Sequence, residues 1–481
     1  MAIYEPTIGL EVHAELSTNS KVFCSCSTEV GVPPNTQVCP VCLGFPGVLP
    51  TLNEKVVEYG LRAALAMNCE ISRPSIFERK GYYYPDLPKN FQISQKRSPL
   101  GTKGYLEIAV DGQSARVRIA DVHLEEDAAK LIHPEDDPQH SLVDFNRGGV
   151  GLIEIVSEPD MHSVAEVEAY MNAIRRMVCY LDISDARMEQ GQLRFEASVS
   201  VRPEGHDELG TRVEIKNLNS FRAVLGAVEY EIERQTAALE KGEPLYQETR
   251  LWDDIRNATE TMRRKETSDD YRYFPEPDLV PLDIDDEWIA RVRAELPELA
   301  EPRARRFVAD YELSEYDARI LTEEKERADF FENTVKSETP PKDAANWIIG
   351  EMLGLANKRN EPPARLMEYL RPQGLADIIG MMNTGTITGT AAKQVFAAAA
   401  TTDRSPSEIV EQECLTQISD DEAIASVVQE IIAEHADAVE NYRKGKENAL
   451  KFLVGQVMRK TKGRANPQAV NELLRKHITG E

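Results

Sequence analysis

Carboxylates alternate with apolar residues in four short stretches of the chain, and the first of these stretches also carries a histidine. In that stretch, Ile8–Leu16, the polar positions are taken by Glu11, His13 and Glu15. Alternation with a period of two predicts a β-strand with one apolar and one polar face. Carboxylates and imidazole are ligands for a hard cation or for a cation bound to phosphates. The carboxylates of the other three stretches are Glu125, Glu196 and Glu214.

Basic and hydroxyl side chains share the polar faces of two of these predicted strands. Arg194, Glu196 and Ser198 are each two residues apart, so they share one face of the first strand. Glu214 and Lys216 share one face of the second strand in the same way. A sheet face of this kind can hold Mg²⁺ between its carboxylates while its cations clamp phosphates, and phosphoryl transfer needs that division of labour. The same alternation is typical of an antiparallel sheet with one solvent-facing side. The pattern alone leaves both interpretations open.

Four of the seven cysteines lie close together, as Cys24-Ser-Cys26 and Cys39-Pro-Val-Cys42. Clustered cysteines in a long chain without a secretion signal favour a metal over disulfides. Four thiolates in two close pairs predict a structural, tetrahedral zinc site, which has no open position for catalysis. Free thiols are the alternative interpretation.

The formal net charge of the chain is −26, and so acidic a charge by itself argues against a nucleic-acid binder. Two basic regions nevertheless stand out. In the first, Lys80 precedes Tyr82, Tyr83 and Tyr84, a combination that suits stacking against an RNA end, or else a strand with core tyrosines. The second is the helical C-terminal region, which can grip an RNA backbone or present a solvated helical face. The residues predicted to contact RNA there include Lys460 and Lys462.

The elements that must position these residues change character along the 481-residue chain. Strand patterns dominate the first part, and helical periodicity dominates from residue 287 onward. We therefore predict an α+β fold with three parts, comprising residues 1–290, 291–405 and 406–481. A glycine-rich segment, residues 144–160, predicts a turn leading into a strand, although its spacing is not that of a P-loop or a dinucleotide site. No stretch is apolar enough to span a membrane, so we expect a cytoplasmic protein.

Several long motifs, in order along the chain, resemble the B subunit of the aspartyl/glutamyl-tRNA amidotransferase family. They are Gly9-Leu-Glu-Val-His-Ala-Glu-Leu16, Cys39-Pro-Val-Cys-Leu-Gly44, Lys80-Gly-Tyr-Tyr-Tyr-Pro-Asp86, His123-Leu-Glu-Glu-Asp127, Ile153-Glu-Ile-Val-Ser-Glu-Pro-Asp160, Glu214-Ile-Lys-Asn-Leu-Asn-Ser-Phe221, Phe452-Leu-Val-Gly-Gln-Val-Met458 and Gly463-Arg-Ala-Asn-Pro467.

The resemblance implies a heterotrimer in which a glutaminase, the A subunit, supplies ammonia through a channel and a small C subunit completes the complex. The B subunit would use ATP to phosphorylate the side-chain carboxylate of aspartate or glutamate mischarged on tRNA(Asn) or tRNA(Gln). Ammonia would then displace the phosphate. The resemblance also implies a glutamine-synthetase-like, antiparallel-sheet cradle with Mg²⁺, followed by a helical domain and a small helical tail that touches tRNA.

Matching the motifs to this chain implies some residue roles, and the polar faces of the predicted strands and the glycine-rich segment suggest the others. Glu11, His13 and Glu125 match the metal positions, whereas Glu15 gains no support and is left out. Glu196 stands where the family usually has aspartate, so the geometry there is uncertain. The predicted nucleotide contacts are Arg194, Ser198 and Arg147. The predicted catalytic residues are Glu11, His13, Glu125, Glu196, Glu214 and Lys216.

Two other functions fit parts of the pattern. A zinc-bearing tRNA adaptor without catalysis would use the cysteines, the tyrosines and the basic tail, but it leaves the carboxylate-bearing strands unexplained. A free-standing ATP-dependent ligase or kinase for a small carboxylate would leave the basic tail unused.

Overall fold

The computed structural model describes residues 3–110, 112–134, 136–137, 139–264, 271–418, 421–461 and 463–479, which divide into two compact units, residues 1–299 and 300–481. All of the named strands belong to the first unit. In chain order they are β1 (Tyr4–Glu15), β2 (Glu70–Ile71), β3 (Glu78–Lys80), β4 (Gln92–Ser94), β5 (Gly101–Val110), β6 (Gln113–Glu126), β7 (Lys130–Ile132), β8 (Leu142–Asp144), β9 (Gly151–Ser157), β10 (Leu193–Pro203), β11 (Val213–Leu218), β12 (Glu248–Asp253), β13 (Ala258–Arg264) and β14 (Phe274–Pro275).

Nine of these strands form one sheet in the order β13-β12-β11-β10-β1-β9-β6-β5-β2. Its neighbours pair antiparallel except β11 and β12, which are parallel. The four strands predicted to carry carboxylates are therefore β1, β6, β10 and β11. Strands β14, β3 and β4 form a second sheet, and β7 and β8 form a third. This architecture confirms the α+β prediction.

Helices cover the apolar face of the large sheet. The helices of the first unit are α1 (Glu54–Ala66), α2 (Val164–Tyr180), α3 (Phe221–Glu240) and α4 (Asp286–Glu295). The side chains of Ser163 and Ser220 accept hydrogen bonds from the first turns of α2 and α3, which fixes where both helices begin. Beneath them, Leu10, Val12 and Ala14 of β1 are fully buried, while the alternate residues face the other way.

Close packing of α1 holds β6 in place. A Cβ built on Gly60 in α1 would lie 2.6 Å from the side chain of Leu100 and 2.8 Å from that of Leu124. Only glycine therefore lets the helix approach so closely. Because Leu124 precedes Glu125 in β6, this contact also fixes the strand that carries one of the predicted metal ligands.

The second unit is helical. Its helices are α5 (Ala300–Tyr311), α6 (Glu315–Thr322), α7 (Lys325–Lys336), α8 (Pro341–Asn346), α9 (Leu353–Arg359), α10 (Pro363–Tyr369), α11 (Pro372–Asn383), α12 (Gly389–Ala399), α13 (Pro406–Gln412), α14 (Asp421–Glu434), α15 (Ala436–Arg443), α16 (Glu447–Lys460) and α17 (Pro467–Thr479). A π-helical segment, Trp347–Met352, joins α8 to α9.

Two hydrophobic cores stabilise this unit. One extends from Phe307 to Leu415 and includes Ile409 and Val410 of α13, and the other extends from Ile424 to Ile478. Helix α13 thus packs into the earlier core, although it follows the predicted boundary at residue 405. The three-part division itself stays a prediction. Within the described ranges, no helix combines the length and the hydropathy needed to cross a bilayer.

Candidate active site

Strand order brings the predicted side chains together on the polar face of the large sheet. β1 lies between β10 and β9, and its register places Glu11 opposite Glu196. The same register places His13 opposite Arg194 on one side and Glu154 on the other. Directly opposed residues of an antiparallel pair share a face and lie close to each other. The alternation read from the sequence therefore describes one continuous surface.

A buried cluster of histidines and carboxylates occupies the centre of this face. His13 Nε2 lies 3.1 Å from Glu154 Oε2 and 3.6 Å from Glu125 Oε1. His123 Nε2 lies 3.0 Å from the same Glu154 oxygen, and its Nδ1 lies 2.7 Å from Asp121 Oδ1. His13, Glu125 and Glu154 each offer one ligand atom, and these atoms lie within 4.8 Å of one another. We define these three residues as the carboxylate–histidine cluster.

The charges of this cluster fit a cation. Burial and the nearby Glu154 carboxylate raise the pKa of Glu125. Burial likewise raises the pKa of Glu11, and Glu154 and Glu196 add to the shift. Glu125 is 2% exposed, and within the described parts of the chain its Oε2 atom has no hydrogen-bond partner. Buried polar atoms are nearly always satisfied, so an unpartnered carboxylate oxygen in such a cluster suits a bound cation.

Glu154 is the member of this cluster that the sequence reasoning missed. It lies in β9 between the fully buried Ile153 and Ile155, where a carboxylate interrupts an apolar run. Burial opposes its ionisation, but His123 and His13 outweigh burial and hold its pKa well below the usual range. Burial likewise opposes protonation of His123, but Glu154 and Asp121 outweigh it and raise the pKa of His123 to about 10. The lone carboxylate in an apolar strand was the available signal.

Arginines line one end of the cluster. Arg194 Nη2 lies 3.0 Å from Asp127 Oδ1, and Arg147 Nε lies 3.6 Å from Asp127 Oδ2. Burial opposes ionisation of Asp127, but these two guanidinium groups hold its pKa below the usual value. Arg147 also donates hydrogen bonds to the carbonyl oxygens of Ala128 and Ala129. Among the described residues, nothing accepts a hydrogen bond from the buried Arg194 Nε atom.

Two further predicted carboxylates pair with cations on the sheet itself. Lys216 Nζ lies 2.9 Å and 2.7 Å from the two carboxylate oxygens of Glu196. The additional methylene of glutamate relative to aspartate lengthens the reach of this carboxylate toward Lys216. Arg212 Nη2 lies 3.1 Å from Glu214 Oε1, and Glu214 is opposite Ser198 in the register of β10 and β11. These groups border the cluster from the side of β10.

Glu15, which the sequence reasoning left out, belongs to the arginine end of the face. Burial raises the pKa of Glu15 to about 8, and the neighbouring Asp127 carboxylate contributes to the shift. A protonated Glu15 can donate a hydrogen bond to Asp127, which the arginines keep ionised. Neither the other predicted strands nor the family motifs support Glu15, because its partner is the residue that immediately follows β6.

The stability of the chain is expected to depend on the ionisation of Glu15. Because its folded-state pKa lies above the ordinary value of 4.5, its contribution is complete below about pH 4.5 and is lost as the pH rises toward 8. The glutamine in Glu15→Gln cannot ionise, so the variant does not lose stability in this way. The difference between its free energy of unfolding and that of the wild type should therefore increase from pH 5 to pH 8. The expected gain is on the order of 3 to 5 kcal/mol, levelling off above pH 8. Urea unfolding at several pH values measures it.

The exposed Glu243 provides the control for this prediction. Glu243→Gln should change the free energy of unfolding only slightly, as expected for an exposed side chain. A pH-independent difference for Glu15→Gln would contradict the assigned ionisation.

The four clustered cysteines also meet in the structure. The sulfur atoms of Cys24, Cys26, Cys39 and Cys42 lie within 4.8 Å of one another. The Cys39 backbone N–H donates a 3.2 Å hydrogen bond to Cys42 Sγ. A hydrogen bond from Cys24 lowers the pKa of Cys42 to about 4, although burial opposes the shift. Four converging sulfurs fit the donor set of a structural zinc ion.

The aromatic segment is divided between two environments. Tyr83 and Tyr84 are 83% and 55% exposed, whereas Tyr82 donates a hydrogen bond to Gln92 and packs edge-on against Tyr271. Lys80 is half-buried, and although burial opposes the shift, Glu125 and Glu154 raise its pKa. Lys80 Nζ lies 5.7 Å from the centroid of the Tyr82 ring and 5.3 Å from that of the Tyr271 ring.

In the helical tail, Lys460 pairs with two acidic side chains. Its Nζ lies 2.9 Å from Glu430 Oε2 and 2.8 Å from Glu434 Oε1. These contacts reduce the positive charge that α16 presents. Lys462 lies outside the described residues.

Comparison with known proteins identifies the family. A family model described as the GatB/GatE catalytic domain matches residues 6–290, and one described as the GatB domain matches residues 329–478. The B subunit of aspartyl/glutamyl-tRNA(Asn/Gln) amidotransferase from Carboxydothermus hydrogenoformans is 52% identical over 477 residues, which cover 99% of each chain. The protein of the same name from Moorella thermoacetica is 53% identical over 477 residues, covering 99% of this chain and 100% of the relative. These matches confirm the resemblance read from the motifs. The chain therefore belongs to the family of aspartyl/glutamyl-tRNA(Asn/Gln) amidotransferase B subunits.

Proposed function

We propose that the chain is the cytoplasmic B subunit of a tRNA-dependent amidotransferase that activates a tRNA-linked carboxylate with ATP. The substrate is aspartate on tRNA(Asn), glutamate on tRNA(Gln), or both. A glutaminase, the A subunit, supplies ammonia by a channel, and a small C subunit completes the heterotrimer. The single observation that carries this proposal is the carboxylate–histidine cluster, whose buried, unpartnered Glu125 oxygen shares a sheet face with Arg194 and Lys216.

The reaction proceeds in two balanced steps. A side-chain carboxylate oxygen of the esterified amino acid attacks the γ-phosphorus of ATP, and the bond to the bridging oxygen breaks to release ADP. The nitrogen of ammonia then attacks the acyl carbon, inorganic phosphate leaves, and the nitrogen loses a proton to give the amide. Activation is required because a free carboxylate is a poor acyl donor.

The side chains on the sheet face divide the work of the first step. Glu11, His13, Glu125 and Glu154 would hold Mg²⁺, which when bound neutralises charge on the transferring phosphoryl group. Arg194, with Arg147 behind it, donates to phosphate oxygens, as its unpartnered Nε supports. Lys216 holds Glu196 in place and adds positive charge beside the phosphates.

Recognition of the tRNA end is assigned to the exposed rings of Tyr83 and Tyr84. Their aromatic faces suit the terminal bases, which can stack without a sequence requirement. Lys80, the inner neighbour of this segment, would instead meet the charged end of the substrate beside the cluster. Lys460, with Lys462, remains a proposed backbone contact of the tail.

Removing the exposed rings should weaken tRNA binding more than catalysis. Tyr83→Ala and Tyr84→Ala are each expected to raise the KM for mischarged tRNA by roughly 5- to 100-fold, with little change in kcat. The corresponding phenylalanine variants keep the stacking surface and should behave like the wild type. Tyr316→Ala removes a 71% exposed tyrosine from the helical unit and serves as the control. An unchanged KM in both alanine variants would rule out this surface.

Reconstitution tests the proposal as a whole. The chain, purified with candidate A and C subunits, should convert Asp-tRNA(Asn) or Glu-tRNA(Gln) to the amide with glutamine and ATP. ATP hydrolysis should depend on the mischarged tRNA. A zinc-bearing adaptor would bind the tRNA without consuming ATP, and a free-standing ligase would consume ATP without tRNA.

A further inference from the structure

Hydrogen bonds connect the cysteine loop, residues 24–42, directly to the glycine-rich turn, residues 144–150. The Asn35 backbone N–H donates a 3.0 Å hydrogen bond to Asp144 Oδ1, and Asn35 Oδ1 accepts a 2.8 Å bond from the Phe145 N–H. The Gln37 N–H donates a 2.8 Å bond to Asn146 Oδ1. The position of the turn thus depends on the position of the loop.

A buried lysine reinforces this connection at the metal cluster itself. Lys21 is fully buried, and its Nζ lies 3.7 Å from Cys42 Sγ and donates a 3.1 Å hydrogen bond to the Phe145 carbonyl oxygen. A buried ammonium is costly unless an anion compensates its charge. Four thiolates around Zn²⁺ carry a net charge of about −2, so a metal-loaded cluster supplies that anion. Lys21 is therefore placed to contact the cysteine cluster and to hydrogen-bond the turn at the same time.

The glycine-rich turn is also hydrogen-bonded to the arginine end of the candidate active site. The Gly149 N–H donates a 2.8 Å hydrogen bond to the Asp127 carbonyl oxygen, and the Asp127 N–H donates a 2.8 Å bond to the Val150 carbonyl oxygen. The turn also contains Arg147, whose guanidinium bonds the residues that follow Asp127. Because Asp127 pairs with Arg194, a shift of the turn displaces the anion-binding arginines together.

We propose that Lys21 is a positioning residue that couples metal occupancy of the cysteine cluster to the placement of Arg147. With metal bound, Lys21 bridges the Cys42 thiolate and the Phe145 carbonyl and holds the turn against the loop. Without metal, the loop and the turn loosen together. This inference rests on zinc binding by the four clustered cysteines, and it assigns that site a role beyond holding its own loop.

Amide hydrogen exchange of the full-length chain, followed by mass spectrometry, tests the coupling without any assay of activity. Removal of zinc with a chelator should speed exchange in the peptide covering residues 143–150 by at least about tenfold, as well as in the cysteine loop. Strands β12 and β13, which three other strands of the sheet separate from β9, should not change and serve as the internal reference.

Two variants separate the parts of the inference. Lys21→Met keeps the length of the side chain but removes its charge, and it should weaken zinc binding by about 10- to 100-fold, measured by competition with a chelator. It should also red-shift the thiolate-to-metal charge-transfer band of the cobalt-loaded chain. Lys55→Met, which removes a surface ammonium, is the control. Asn35→Gly suits the positive φ of 59° at that position and should loosen the turn. Because the coupling is reciprocal, it should also weaken zinc binding, but less than Lys21→Met does.

Each contrary outcome has a distinct meaning. If metal removal loosens the cysteine loop but leaves the turn unchanged, the coupling is wrong. If Lys21→Met binds zinc as tightly as the wild type with the same charge-transfer band, the role of Lys21 is wrong. A chain that binds no zinc overturns the inference, whereas phosphoryl transfer on the sheet face is judged separately by the fate of a labelled carboxylate oxygen.

Discussion

Replacing Glu154 by glutamine is expected to lower the rate of amidation by on the order of 10³-fold while leaving the fold intact. Glu154 is the shared partner of His13 and His123 and a member of the carboxylate–histidine cluster. Glutamine has nearly the same shape, and its amide oxygen can still accept a hydrogen bond. What the substitution removes is the negative charge that the cluster needs for a cation.

The variant also has a signature that does not depend on turnover. The pKa of His123, raised to about 10 chiefly by Glu154 against the effect of burial, should fall when that carboxylate is neutralised. Titration of the imidazole resonances by NMR measures this change. Glu107→Gln alters an exposed carboxylate that faces Arg116 on the same sheet and should retain full activity. A Glu154→Gln enzyme with more than a tenth of wild-type activity would remove Glu154 from the site.

Replacing Arg194 by methionine is expected to reduce kcat/KM for ATP by about 10²- to 10³-fold and to destabilise the chain by about 2 to 3 kcal/mol. The loss of activity follows from the missing donor to the phosphates. The loss of stability follows because Asp127, which is 4% exposed, keeps its charge with only Arg147 nearby.

A double variant separates these two effects. Arg194→Met combined with Asp127→Asn removes the uncompensated charge, so the free energy of unfolding should return close to the wild-type value. Activity should stay as low as in the single variant. Recovery of activity along with stability would show that Arg194 acts only by supporting the fold.

Much of the site could be read from alternation along single strands. A period of two places Glu11 and His13 on one face of β1, and the same reasoning applies to Glu125 in β6 and Glu196 in β10. Strand-by-strand reasoning works for these residues because the alternate, apolar residues of the same strands are buried in the core, which places the polar ones on the opposite side of the sheet. The family resemblance then selected the metal ligands among these residues.

The other parts of the site depend on which strands are neighbours in the sheet, and no single stretch of sequence contains that information. Glu154 acquires its role because β9 lies between β1 and β6, so that its histidine partners come from residues 13 and 123. Glu15 of β1 likewise has its partner, Asp127, in a distant part of the chain, immediately after β6. The basic and aromatic neighbours of Lys80 predict a contact with RNA, and the fold adds that Glu125 and Glu154 raise its pKa although burial opposes the shift. Composition alone cannot distinguish a lysine that binds phosphate from one that balances buried acids.

The central claim is that a tRNA-linked carboxylate is phosphorylated on this sheet face, and the most direct test follows one oxygen atom. Asp-tRNA(Asn) or Glu-tRNA(Gln) is prepared with ¹⁸O in the side-chain carboxylate and incubated with the reconstituted complex, glutamine and ATP. The account predicts that each inorganic phosphate released carries one ¹⁸O, and that the Glu154→Gln complex releases almost none. Amide formation with unlabelled phosphate would contradict it.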